Sequence, residues 1–244
     1  MTALQNILNI CFREATNLSL TFNPNKSFCI KFFKGRKFEK INAGVSLGNV
    51  LIDFIEKTNY LGFDLNFNLC NANDINRERS KFYKSFNSIF RRFYSVNIEI
   101  LLFLFKSHCS QFYGSGLWTN YKGSSNVFRQ FSVAYHNALK KILNVPKWSS
   151  NHVVCDVLKL LTFNHSINFQ IFRFTKNIFE KPYSLIEKNK LFLLDHSVLL
   201  SEANGILRKT YGVQNILEND IDALHSRILY VQNEYLYHNY YDPP

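Results

Sequence analysis

Acidic residues are scarce in this chain, and so are the residues that usually mark turns. Its 244 residues include 18 Asp and Glu against 29 Lys and Arg, with 9 Gly and 5 Pro. Few turn-formers between long stretches of apolar periodicity favour helices over a many-stranded β fold. Because 46% of the residues are hydrophobic and 16% are aromatic, the chain has enough apolar material to fold.

The five cysteines are odd in number and scattered, and they form no Cys-x-x-Cys pair. This usage is typical of reduced thiols, so we expect an intracellular protein of the nucleus or cytoplasm. The most apolar stretch, residues 98–105, ends at Lys106 and is far shorter than the roughly 20 residues that span a bilayer. We therefore expect no membrane partner.

Recognisable metal and nucleotide motifs are also missing. His152 and Cys155 have the spacing of half a zinc site, but no second half follows, so no metal is predicted. Cys109 follows His108 in the most apolar predicted helix, where burial is favoured over reactivity. His136 is interpreted as a packing residue, and the glycines form neither a GxGxxG nor a P-loop pattern.

Positive charge is concentrated in the body of the chain. Residues 26–181 carry 23 Lys and Arg against 9 Asp and Glu, whereas residues 182–244 carry 5 against 8. A basic body with an acidic tail suits a polyanionic partner such as nucleic acid. An ordinary solvated basic surface would give the same balance.

The pattern predicts an α+β chain that is mostly α, in three regions: 1–70, 71–160 and 161–244. The first region combines a helix over 3–17, a strand-like run at 28–33 and short β pieces at 45–47, 50–52 and 58–65 in a small antiparallel sheet. Helices are predicted beyond residue 73, over 77–95, 97–118, 126–143, 149–161, 164–179, 183–211 (one or two) and 220–237.

The helix predicted over 77–95 has the clearest pattern. One side carries an apolar stripe made of Phe82, Phe86, Ile89, Phe90 and Phe93. The opposite side carries the cations Arg77, Lys81, Lys84, Arg91 and Arg92. Such a helix could pack on the body of the protein and face phosphates. A solvated amphipathic face is the alternative interpretation.

Three stretches stand out in order: Leu4–Cys11 with Leu20–Ser27, then Asn59–Leu65, then Leu104–Trp118 with Val133–Leu143 and Ser150–Cys155. Together they resemble the reverse transcriptases (RNA-directed DNA polymerases) of jockey-like non-LTR, or LINE-type, retrotransposons. Leu4–Cys11 with Leu20–Ser27 resembles the palm helix and motif D that follow the active-site hairpin. Asn59–Leu65 is similar to the "YLG" strand at the primer-grip position. Leu104–Trp118, Val133–Leu143 and Ser150–Cys155 resemble the thumb and the helices after it. The resemblance covers roughly residues 4–160.

The resemblance implies a partial palm at 1–70, a thumb-like region at 71–160 and a C-terminal helical extension at 161–244. It implies that Lys26 matches the motif D lysine, which in the family helps to protonate pyrophosphate, and that Tyr60, Leu61 and Gly62 touch the primer backbone. Gly62 would allow close approach. It also implies that Lys81, Lys84, Arg91 and Arg92 contact RNA or RNA–DNA duplex without sequence preference.

The family's metal-binding aspartates are missing. Intact enzymes of this kind use Mg²⁺ held by carboxylates, two of them in an Asp-Asp turn, and this sequence contains no Asp-Asp pair. The resemblance places that turn just before residue 1, so we expect a fragment that is inactive alone and holds no cofactor. A non-catalytic basic module for nucleic acid or protein and a functionless relic of a mobile element remain alternatives.

Overall fold

The computed structural model of the chain describes residues 2–32, 44–68, 70–118, 126–180 and 198–237. The described residues are mostly helical with two small antiparallel sheets, which confirms the prediction of a mostly helical α+β chain. The chain divides into two compact units, residues 1–73 and residues 74–244, which we call unit 1 and unit 2.

The described part of unit 1 contains one α-helix, α1 (Thr2–Asn17), and two hairpins. The helix ends where Ser19 adopts a left-handed φ of 58° and the Leu20 amide donates to the Ala15 carbonyl at 2.8 Å, a pattern that caps the last free carbonyls. The strands pair in chain order, β1 (Val45–Leu47) with β2 (Val50–Ile52) and β3 (Lys57–Tyr60) with β4 (Phe63–Asn66).

Two details of unit 1 differ from the expectation. In place of a strand over 28–33, Cys29 makes a single parallel bridge to Phe54, and Phe33 lies outside the described residues. In place of one small sheet, the described residues form two separate hairpins. Each hairpin closes through a two-residue turn, so each pair of strands satisfies its own hydrogen bonds locally.

Unit 2 is helical throughout its described part. Its seven α-helices there are α2 (Ala72–Phe93), α3 (Ile98–His108), α4 (Asn126–Ile142), α5 (Asn151–Val157), α6 (Phe163–Glu180), α7 (Val198–Ile206) and α8 (Ile221–Leu236). A five-residue π-helical turn follows α7 at Leu207–Tyr211. The prediction over 183–211 falls partly on residues 181–197, which lie outside the described residues.

The helix expected from Asn97 to near Trp118 is shorter than predicted. Asn97 is the N-cap, since its side chain accepts from the Glu99 amide at 3.1 Å, but α3 ends at His108. Phe112 and Gly114 then adopt φ values of 38° and 88°, which interrupt helical backbone. A short 3₁₀ turn at Ser115–Leu117 completes the segment.

Aromatic rings fill the core of unit 2. Phe131 is fully buried, and its ring centroid lies 4.8 Å from Phe163 and 5.5 Å from both Phe82 and Phe112. Edge-to-face and tilted ring pairs of this kind add stability beyond the area they bury. The core draws on residues from Ile75 to Ile228, on both sides of residue 160.

A polar network holds the start of α2. The buried carboxylate of Asp74 accepts from the indole Nε1 of Trp118 at 2.9 Å and from Arg77. Glu78, also buried, accepts from Arg77 at 3.1 Å and from Lys81 at 2.8 Å. Buried carboxylates are costly unless paired, and here both have cationic partners.

Candidate nucleic-acid interface

Lys26 closes a short 3₁₀ turn in unit 1. The turn spans Pro24–Lys26 and is stabilised from Asn23, whose carbonyl accepts from the Lys26 amide at 3.1 Å and whose side chain accepts from the Asn25 amide at 3.0 Å. Lys26 itself is exposed. An exposed lysine on a fixed turn can reach an anion, and it is equally an ordinary surface residue.

The Tyr60-Leu61-Gly62 segment is the tip of a hairpin, whereas the sequence predicted a strand there. Tyr60 ends β3, and Leu61 and Gly62 form its two-residue turn with φ values of 48° and 84°. Two consecutive positive φ values are the signature of a type I′ turn. The side chains of Tyr60 and Leu61 are 58% and 72% exposed, so the tip projects from its own hairpin.

The five cations that the sequence places opposite the apolar stripe of α2 divide into two groups. Arg77 and Lys81, in the first half of the helix, are paired with the buried acids Asp74 and Glu78. Lys84, Arg91 and Arg92 are exposed and form no ion pair within the ranges that the structure describes. The second group is therefore the one available to an external anion.

The apolar stripe of α2 faces the core as predicted over most of its length. Phe82 and Phe86 are buried, and Ile89 and Phe90 are partly buried against the core. Phe93, in the last turn, is 38% exposed. Burial of the stripe leaves Arg91 and Arg92 on the outside, where with Asn87 and Ser88 they line a shallow depression.

Helices α2 and α4 lie side by side and run in the same direction. Arg79 near the start of α2 bonds Gln130 near the start of α4, and Phe82 contacts Phe131. At the other end the ammonium group of Lys141 lies 4.3 Å from the centroid of the Phe90 ring. The C-terminal ends of both helices, each rich in cations, therefore lie at the same end of unit 2.

The turn that follows α4 lies at the same end of unit 2. Asn144, with a left-handed φ of 53°, terminates α4, and the Val145 amide donates to the Lys140 carbonyl at 3.0 Å. The Lys140 ammonium then donates to the Lys147 carbonyl at 2.8 Å. Trp148, at the following position, is 87% exposed.

Sequence reasoning missed Trp148 and the full extent of the charge asymmetry. Between residues 79 and 155 the chain has 11 Lys and Arg and one acid, Glu99. Counting charges over a shorter range would have shown this asymmetry. The range 26–181 hides it because most of its acids lie near its two ends. The exposure of Trp148 has no clear sequence signal, since tryptophan is mostly found well buried.

The histidines and cysteines set aside in the sequence lie mainly in packing environments. Cys155 is fully buried, burial raises the pKa of Cys109 to about 11, and the His152 ring packs 4.4 Å from that of Tyr235. Burial lowers the pKa of His136 to about 4. Among the described residues no three His, Cys, Asp or Glu side chains are placed to share a metal ion.

No protein-family model, curated protein sequence or solved structure matches the chain. Within the described ranges, no helix is both long and apolar enough to cross a membrane.

Proposed function

We propose that the chain binds RNA or RNA–DNA duplex through its phosphates, without sequence preference, and that α2 supplies the central contacts. The observation that carries this proposal is the exposed second group of α2 cations, Lys84, Arg91 and Arg92, in a stretch with one acid. Guanidinium and ammonium groups bind phosphate without reading bases. Affinity gained by releasing counterions falls steeply with salt.

We further propose that the chain is a fragment of a LINE-type reverse transcriptase, with a partial palm at 1–70, a thumb-like region at 71–160 and a C-terminal helical extension at 161–244. The resemblance of residues 4–160 supports this proposal. So does the apolar surface of α1, where Leu4, Ile7 and Ile10 are 37%, 57% and 51% exposed, since in the family this helix packs beneath the aspartate hairpin. Lys26 and the hairpin tip would then face nucleotide and primer in the intact enzyme.

The intact enzyme would need Mg²⁺, and the residues of this chain do not fit that role. The sequence has no Asp-Asp pair that could hold the metal ions as the family does. The purified chain should incorporate no deoxynucleotide on a primed RNA template with magnesium or manganese. Template-dependent extension above a mock preparation would contradict the fragment proposal.

Binding is tested by measuring duplex affinity across a salt series. Joint replacement of Lys84, Arg91 and Arg92 by Ala should lower the slope of log affinity against log salt by about three, roughly one per lost phosphate contact. The matched control replaces the exposed neighbours Arg208 and Lys209 by Ala, since they lie in the acidic segment 182–244. An unchanged slope in the triple variant would exclude α2 from the interface.

A non-catalytic binding module is the second candidate, favoured because unit 2 has its own core. This candidate predicts that residues 74–244, expressed alone, bind duplex as tightly as the full chain. The fragment proposal predicts weaker binding by that piece, because Lys26 and the hairpin tip would be lost.

A further inference from the structure

The end of unit 2 where α2 and α4 terminate combines exposed cations with an exposed indole. We call it the basic end and define it by Arg91, Arg92, Lys141 and Lys147, all of which are exposed. The last turn of α4 contacts both α2 and the turn that follows α4. Lys141 lies over the Phe90 ring of α2, and Lys140 donates a hydrogen bond to the turn that carries Trp148.

We propose that the basic end binds an unpaired stretch of nucleic acid, with the indole of Trp148 stacked on a base and the cations contacting the neighbouring phosphates. The proposal rests on the proposed nucleic-acid function and adds to it a second form of ligand, the single strand. Trp148 is the residue that would distinguish the single strand from duplex.

The exposure of Trp148 carries the argument. A tryptophan normally buries most of its large apolar surface, yet 87% of this one is exposed, whereas the other tryptophan, Trp118, is 2% exposed. The turn beneath it is held in place by two hydrogen bonds, from Lys140 to the Lys147 carbonyl and from the Ser149 amide to the Pro146 carbonyl at 3.1 Å. The indole is thus presented on a fixed support.

The charge at the basic end selects the partner. Cations at helix C-termini stabilise the helix dipole, which explains the ends of α2 and α4 by themselves but not the exposed tryptophan on the turn after α4. Exposed cations and an exposed aromatic face on one end of a protein suit single strands, where bases stack on the ring and cations follow the backbone. In duplex the base faces are covered by their neighbours, so Trp148 would have nothing to stack on.

The test uses the full chain, two single-stranded probes and one duplex. The probes are a 20-nucleotide oligothymidylate, an oligouridylate of the same length, and the hybrid of that oligothymidylate with oligoriboadenylate. Because Trp118 is buried, quenching of tryptophan emission by the single strands should come from Trp148. The variant Trp148→Leu should lose that quenching and weaken single-strand binding by about 5-fold to 150-fold, the range for one stacked base.

Matched variants separate stacking from charge and from general surface effects. Trp148→Phe should retain part of the single-strand affinity, since a smaller ring still stacks. Tyr230→Leu should change nothing, although Tyr230 is also an exposed aromatic (54%) with a cation, Arg227, 4.9 Å from its ring centroid. Hybrid affinity should stay within twofold of the parent chain in all three variants.

Unchanged single-strand affinity in Trp148→Leu overturns the inference, and leaves the proposed function intact if the hybrid still binds with a steep salt slope. Equal losses for single strand and hybrid also overturn it, since the indole would then not select unpaired bases. Single-strand binding that depends on Trp148, without any binding to the hybrid, supports the inference and overturns the proposed duplex partner.

Discussion

The two units bury their apolar side chains to very different extents. Unit 2 buries twelve aromatic rings of its described part in one core, and Phe131, Phe163 and Phe172 are fully inaccessible. In the described part of unit 1 four apolar side chains are buried, Val45, Leu47, Ile52 and Phe67, while α1 leaves Ile7 and Ile10 more than half exposed. Since burial supplies most of the driving force for folding, unit 2 has the means to fold by itself and unit 1 has much less.

The largest effect is expected from a substitution in the aromatic core of unit 2. Phe131→Ala removes a ring packed against four others and should lower the free energy of unfolding by about 3–5 kcal/mol. The matched change in unit 1, Phe12→Ala, removes a ring that is 41% exposed and should cost below about 1 kcal/mol. Urea unfolding followed by helix content measures both, and equal losses would contradict the contrast between the units.

Lowering the pH should reduce the stability of unit 2 through its histidines, because all seven histidines of the chain lie at or beyond residue 108. Burial lowers the pKa of His136 to about 4 and that of His165 to about 4. The unfolded chain therefore binds protons first as pH falls, and stability should decline between about pH 6.5 and pH 4. Below that window these two groups cause no further loss.

The shift of His136 alone corresponds to about 3 kcal/mol across the window. Thermal unfolding in a pH series measures this loss, and His136→Gln should flatten the profile because the amide cannot be protonated there. His225, which is partly exposed, provides the control substitution. A profile unaffected by His136→Gln would show that another group governs the acid response.

A third prediction concerns close packing at the 3₁₀ turn of unit 2. A Cβ added to Gly116 would lie 2.5 Å from the Cβ of Phe174, so α6 could not stay in place. Gly116→Ala should cost about 1–3 kcal/mol through overpacking. In Gly205→Ala, where the added Cβ meets nothing within 4 Å, the helical position should instead gain up to about 1 kcal/mol. Opposite signs in urea unfolding are the expected result.

Sequence periodicity predicted the helices of unit 2 well, because an apolar stripe at helical spacing must face a core. Phe82 and Phe86 are buried as the pattern indicated. Pairing within α2 was not predicted, although Glu78 lies three residues before Lys81, a spacing that brings side chains together. The turn at Leu61 and the exposure of Trp148 depend on backbone conformation and tertiary placement, which residue spacing does not encode.

The smallest effect is expected from a substitution at a hairpin turn of unit 1. Leu61 holds a φ of 48° at the tip of the β3–β4 hairpin, a left-handed conformation that is costly for a leucine. Asn-Gly is the preferred pair for this turn, so Leu61→Asn should stabilise the hairpin by about 0.5–1 kcal/mol and leave the unfolding of unit 2 unchanged. Hydrogen exchange at the amides of β3 and β4 measures the gain, and Leu18→Asn, on another exposed leucine of unit 1, is the control.

If Leu61→Asn instead loosened the hairpin, the leucine side chain would be stabilising the tip. If it protected the hairpin but weakened duplex binding, the left-handed leucine would be retained for contact with nucleic acid at the expense of stability.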